Sequence, residues 1–179
     1  MSGNYFNGIS KLRGLNPTEF MCIMSKILTL RERVLKIFIG SDHAGLILKK
    51  RLIEKLLEQN HDMSDLGTDS SQSCDYPDYA HLVAAKVASH DSYIGILICG
   101  SGIGMSITAN RHPNIRAALC HNSLDARLAR EHNDANVLVL GARLIGEETA
   151  LDILDAFLKT PFAGGRHAQR VSKIEIGSN

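Results

Sequence analysis

The sequence Ile96-Leu97-Ile98-Cys99-Gly100-Ser101-Gly102-Ile103-Gly104 carries an apolar run into a cysteine, then into a loop with glycine at every second position. Met105 to Asn110 then suits a helix. A short apolar run without polar alternation reads as a strand buried on both faces, as in parallel sheets covered by helices on each side. Strand, glycine loop and helix start together make a ready anion site. Cys99 stands at its mouth. A thiol beside backbone N–H groups can be held partly as thiolate and act as nucleophile or base.

Outward from this stretch, apolar runs alternate with helical stripes. Lys36 to Gly40 reads as a buried strand, and Leu46, Leu48, Leu52, Ile53, Leu56 and Leu57 follow as one helical face. His61 to Leu66 is a weaker strand, and 67–76 a polar loop. Pro77 opens a helix running to Ala88. Tyr93 to Cys99, Asn114 to Cys120 and Asn136 to Gly141 are three more strands. Ser123 is the expected N-cap of a helix through His132. Glu147 to Leu158 is amphipathic, and Arg166 to Ile174 reads as a basic terminal helix.

The repeated β-α order predicts a three-layer α/β/α, Rossmann-like doubly wound domain with a five-stranded parallel sheet and a C-terminal helix. Ligands in such folds bind beyond the carboxyl ends of the strands. Attention therefore falls on Asp42-His43, Cys99 to Gly104, His121-Asn122 and Gly141 to Arg143.

The 179 residues suffice for one domain, and a net charge of +1 argues against a general nucleic-acid or membrane surface. The four cysteines, Cys22, Cys74, Cys99 and Cys120, form no CxxC pair or zinc-ligand spacing, which suits free thiols in a reducing cytoplasm. Residues 1–34 lack the patterning of the rest and read as an extension, with Met21 or Met24 as alternative starts and only a faint transit-peptide character. The domain is expected over 35–179.

Each candidate has a plain alternative. The loop follows G-x-G-x-G rather than the dinucleotide G-x-G-x-x-G, which argues against a nicotinamide cofactor. Three glycines still exceed what one tight turn needs. Cys99 can be a core residue, but its strand-end position favours a functional one, whereas Cys120 lacks a glycine loop and reads as core. Asp42 suits capping of a helix starting near Ala44 as well as substrate binding. His132 ends a helix, at the opposite edge of the sheet layer from Cys99, so a second subunit would be needed to bring it over. Arg166 and Arg170, one helical turn apart beside His167, can clamp a phosphate.

Together these segments resemble the ribose-5-phosphate isomerase B family, within a wider group that includes galactose-6-phosphate isomerase subunits. The match runs through Ile39 to Gly45, Asp75-Tyr76-Pro77, Cys99 to Gly104, Ala109-Asn110-Arg111, Arg130 to Asn136, Gly141-Ala142-Arg143 and Gly164 to His167. The resemblance implies aldose–ketose isomerisation of ribose 5-phosphate to ribulose 5-phosphate without metal or organic cofactor. It implies Cys99 as the base at C2, since the alternative glutamate position holds Met105. It further implies His132 and Asp42 for ring opening, and His43, Arg143, Arg166 and Arg170 for phosphate. Tyr76 and Asn133 would contact the sugar. A homodimer or homotetramer with a shared site is implied, with His132 to Arg143 coming from the partner.

On this reading Cys99 abstracts the C2 proton, and the N–H groups of Gly100, Gly102 and Gly104 stabilise the enediolate oxyanion. Ser101 relays a proton between its oxygens. A free thiol is only a few per cent ionised at neutral pH, so the loop is expected to favour the thiolate. The rivals are a hexose 6-phosphate isomerase and a non-catalytic sugar-phosphate sensor.

Overall fold

The computed structural model describes residues 34–175, so the extension expected at 1–34 lies outside the described residues apart from Val34. The strands are β1 (Lys36–Ser41), β2 (Asp62–Asp65), β3 (Ile94–Cys99), β4 (Ala117–Leu119) and β5 (Val137–Gly141). The helices are α1 (Leu46–Glu58), α2 (Tyr76–Ala88), α3 (Ile103–Ala109), α4 (Ser123–Asn133), α5 (Glu147–Lys159) and α6 (Arg166–Val171). All strand pairs are parallel, in the order β2-β1-β3-β5-β4, which is the predicted doubly wound sheet. No helix among the described residues is long and apolar enough to cross a membrane.

The central strands are apolar throughout because each face has its own core. Ile37, Ile39, Ile96, Ile98, Leu138 and Leu140 point one way, against Leu52 and Leu56 of α1 and Ile153, Leu154 and Phe157 of α5. The alternate residues Phe38, Leu97, Cys99, Val137 and Val139 point the other way, against Val83 and Val87 of α2 and Met105 of α3. Each fully buried aliphatic side chain contributes roughly 1.5–3 kcal/mol. Two such layers hold β1, β3 and β5 level, with Ser41 in register with Ile98 and Cys99 with Gly141.

Most boundaries shift by a residue from the sequence reading, and four differ in ways that matter. The strand expected over Asn114 to Cys120 shortens to three residues. Asn114 has φ +62°, and the Asn136 side chain takes over the ladder at its start, donating to Asn114 O (2.7 Å) and accepting from Arg116 N (2.9 Å). On the outer edge of β4, Asn110 accepts from Ala117 N at 2.8 Å and donates to Ala117 O at 2.9 Å, in the manner of a neighbouring strand. The N-cap of α4 is Asn122, whose side chain accepts the Asp125 N–H at 2.9 Å, and Ser123 is already helical. Helix α1 begins at Leu46 rather than near Ala44. Helix α6 stops at Val171, short of Ile174.

Candidate active site

The first strand ends in Ser41-Asp42-His43. Asp42 is 6% exposed, and its N–H donates to Ile98 O at 3.3 Å, fastening the turn to the end of β3. Its Oδ1 accepts the N–H groups of Ala44 (2.9 Å) and Gly45 (3.0 Å). Both bonds fall on one oxygen, so Asp42 organises the turn into α1 while Oδ2 takes no part in it. The N-cap of α1 is Gly45 with no side-chain cap bond, so Asp42 holds the turn before the helix and does not cap it as expected.

At the end of β3 the chain turns through Gly102, which has φ +77°, a conformation that favours glycine. A Cβ there would also lie 2.4 Å from Leu119 Cδ1. The turn brings the Gly102 N–H onto Cys99 Sγ at 3.1 Å. This corrects the expected role of Gly102: it is buried, and its N–H serves the sulfur rather than a substrate oxyanion. The sulfur lone pair that would carry a thiolate's charge thus has a built-in donor. Cys120 is the contrasting thiol. Burial, with Asp125 adding to it, pushes Cys120 up to about 12 and keeps it an inert core residue.

A cleft of about 600 Å³ opens beyond these strand ends. It is within the usual range for small-molecule sites. Cys99, Asp42, His43 and Ser101 line it, as do Gly100, Gly104, Tyr76 and Arg143. A Cβ on Gly104 would fall 2.4 Å from Tyr76 Cζ, so the bare glycine seats the tyrosine ring across the first turn of α3. Met105 is fully buried in the core and does not line the cleft.

Arg143 was expected from a partner, but it belongs to this chain's own cleft. Its N–H donates to Gly100 O at 3.0 Å, and its guanidinium Nη1 lies 3.4 Å from where a Gly100 Cβ would stand. The β5–α5 turn therefore carries it beside the glycine loop. The sequence reading missed the apolar rim of Ile103, Ile107 and Leu144. Ile103 and Ile107 lie one turn apart on α3, off the buried Met105–Ala109 face, which is the signal that could have found them.

His132, Asn133, Arg166 and Arg170 do not line the cleft. They gather where α4 ends and α6 begins. The His132 ring stacks on His167 with centroids 4.3 Å apart and planes 2° from parallel. Ala163 N donates to Glu131 O at 3.0 Å, tying the segment before α6 to α4. Burial, then the neighbouring His132, Arg166 and Arg170, lower the pKa of His167, while Glu131 partly opposes them. Chain direction puts this basic cluster at the edge of the sheet where the strands begin, opposite Cys99.

A cysteine sulfur, an Asp–His pair and an arginine around an open cleft at the strand ends define a small-molecule enzyme on a doubly wound scaffold. The family model described as Ribose/Galactose Isomerase matches residues 37–174. Ribose-5-phosphate isomerase B of Escherichia coli is 48% identical over 139 residues, covering 78% of this chain and 93% of that protein. The crystal structure of a Thermotoga maritima ribose 5-phosphate isomerase superposes with a TM-score of 0.78 at 52% identity, covering 80% of this chain and 99% of that one. A Mycoplasma genitalium ribose-5-phosphate isomerase B with bound ribulose-5-phosphate gives 0.76 at 45% identity, covering 78% and 93%. The chain belongs to the Ribose/Galactose Isomerase family.

Proposed function

We propose that the protein interconverts ribose 5-phosphate and ribulose 5-phosphate through a cis-enediolate. The observation that carries this is Cys99: it lines the cleft, accepts the Gly102 N–H at 3.1 Å, and lies beside Asp42 and His43. The pentose is favoured over a hexose 6-phosphate by the relatives, among them the Mycoplasma genitalium enzyme with bound ribulose-5-phosphate.

The sugar binds as a furanose, and Asp42 Oδ2 and a histidine move the protons that open its ring. Cys99 thiolate takes the C2 proton; the C–H electron pair forms the C1–C2 double bond, and the C1 carbonyl oxygen becomes the enediolate oxygen. Ser101 carries a proton from the C2 oxygen to the C1 oxygen, and the Cys99 thiol returns its proton to C1. The N–H groups of Gly100 and Gly104 are the remaining donors of the loop for the oxyanion, a donor commonly contributing ~3–4 kcal/mol. Tyr76 holds the sugar, and no metal or organic cofactor enters the scheme.

The active form is a homodimer or homotetramer with shared sites. This is supported by the separation of His132, Asn133, Arg166 and Arg170 from their own chain's Cys99. A second copy brings that cluster to the cleft: His132 opens the ring, Asn133 contacts the sugar, and Arg166 and Arg170 join His43 and Arg143 on the phosphate. The reading carries with it a cytoplasmic enzyme of the non-oxidative pentose phosphate pathway.

Cys99→Ala should lower kcat for ribose 5-phosphate by about 10²–10⁴-fold, the range for a lost general base, with Cys120→Ala near wild type. Near-normal turnover by pure Cys99→Ala would refute the base assignment. A coupled assay on hexose 6-phosphates tests the pentose assignment separately.

A further inference from the structure

His43 lines the cleft, and Cys74, in the loop before α2, does not. The Cys74 backbone N–H donates to His43 Nδ1 at 3.2 Å, and Cys74 Sγ faces the same nitrogen at 3.8 Å. A thiol can donate or accept, but a backbone N–H can only donate. Nδ1 must therefore present its lone pair, and the proton of the neutral ring sits on Nε2. Nε2 is the ring nitrogen left for the cleft.

The loop that supplies this N–H is anchored. Lys49, 1% exposed, places Nζ 2.7 and 2.8 Å from the Asp65 carboxylate oxygens and 2.7 Å from Thr68 O. Thr68 N in turn donates to Ser41 O at 3.1 Å, one residue before the Asp42-His43 pair. The His43 end of the contact is thus fastened through Ser41, and the loop carrying Cys74 leaves from the same anchored point at Thr68.

We propose that the backbone N–H of Cys74 fixes His43 as its Nε2–H tautomer, making this imidazole a donor-only ligand for an unprotonated oxygen in the cleft. That this oxygen belongs to a phosphate rests on the sugar-phosphate isomerase reading. In this role His43 can hold an anionic oxygen but cannot take a proton from Cys99 or from a sugar hydroxyl. Cys74 is a positioning residue.

The tautomer is read directly by long-range ¹H–¹⁵N correlation on histidine-labelled full-length protein at about pH 8, above the ordinary imidazole range of ~6.5. The His43 signals are assigned by their loss in His43→Gln. The expected result is an Nε2–H ring, unchanged in Cys74→Ala, which keeps the backbone N–H. A proton on Nδ1, or a tautomer that switches in Cys74→Ala, overturns the proposal, whatever the activity of the enzyme. Kinetics then address the phosphate clause. His43→Gln sets an amide donor near the Nε2 position and should keep KM for ribose 5-phosphate within about 10-fold, whereas His43→Asn should raise it about 10–100-fold, the usual loss of a hydrogen bond to a charged group. Equal KM values for the two variants overturn the donor role. An inactive wild type with an Nε2–H ring would instead remove the isomerase reading and leave the tautomer standing.

Discussion

Cys99 and Cys120 both lie at the ends of strands, yet they differ chemically. Cys99 receives an N–H from Gly102 and lines the cleft; Cys120 is sealed in the core and held well above the ordinary thiol range. Gly102 is what separates them. Alanine there meets Leu119 Cδ1 at 2.4 Å and must adopt φ +77°. Left-handed strain of roughly 1–2 kcal/mol and overpacking of roughly 1–3 kcal/mol add up. Gly102→Ala should therefore lose about 2–5 kcal/mol in urea melts, and kcat of the folded variant should fall as well, because relieving the Leu119 contact and the positive φ must move the turn and swing the retained N–H of residue 102 off the sulfur. Unchanged kcat in folded Gly102→Ala would mean that the glycine turn is not needed to hold this N–H on the sulfur.

The Arg130 to Asn136 segment divides by role at the scale of the element. Asp134, with φ +47°, pairs with Arg130 (3.2 Å) and Arg116 (2.9 Å) and terminates α4, while Asn136 starts β4. His132 remains at the helix end, stacked against His167 of α6. Burial, and then the cationic neighbours, depress the pKa of His167, so the neutral ring is favoured there. A bound phosphate would offset that repulsion and raise the pKa. Between the two values the complex takes up a proton, so phosphate should bind more tightly as pH falls through that window. Calorimetry of ribose 5-phosphate binding in buffers of different ionisation enthalpy should read proton uptake on the acid side of the ordinary imidazole value. The uptake should vanish in His167→Gln. Replacing Arg166 and Arg170 together should raise KM with little change in kcat; an unchanged KM would remove them from the phosphate site.

For the whole molecule, the two-faced core fixes which groups one chain can bring together. Strand ends carry Asp42, Cys99 and Arg143 to one edge, and helix α4 carries His132 to the other. If two copies complete each other's sites, mixing and refolding inactive Cys99→Ala with inactive His132→Ala should recover about a quarter of wild-type activity, since half the dimers then hold one intact site of two. No recovery in mixed dimers verified by native mass spectrometry would mean that each site is built within a chain.

Local pattern was enough for the sheet, the two covering layers and the cleft at the strand ends. Burial on both faces writes itself as unalternated apolar runs, and turn glycines and strand-end polar residues follow at fixed positions. Asp42, His43, Cys99, Ser101 and Arg143 were legible in this way as strand-end positions, whereas Tyr76 came only with the family resemblance. Residue order did not reveal that the Gly102 N–H turns inward to the sulfur, that Asn110 and Asn136 stand in for β4's missing ladder, or that Cys74 sets the histidine's tautomer. Nor could it reveal that Arg143 serves its own chain. These depend on where backbone donors point once distant segments pack, and hydrogen-bond direction, unlike hydrophobic period, leaves no repeat in the sequence. The loop at Gly100 to Gly104 was visible as a motif from the outset; only the tertiary structure assigned one of its glycines to the cysteine and another to the tyrosine.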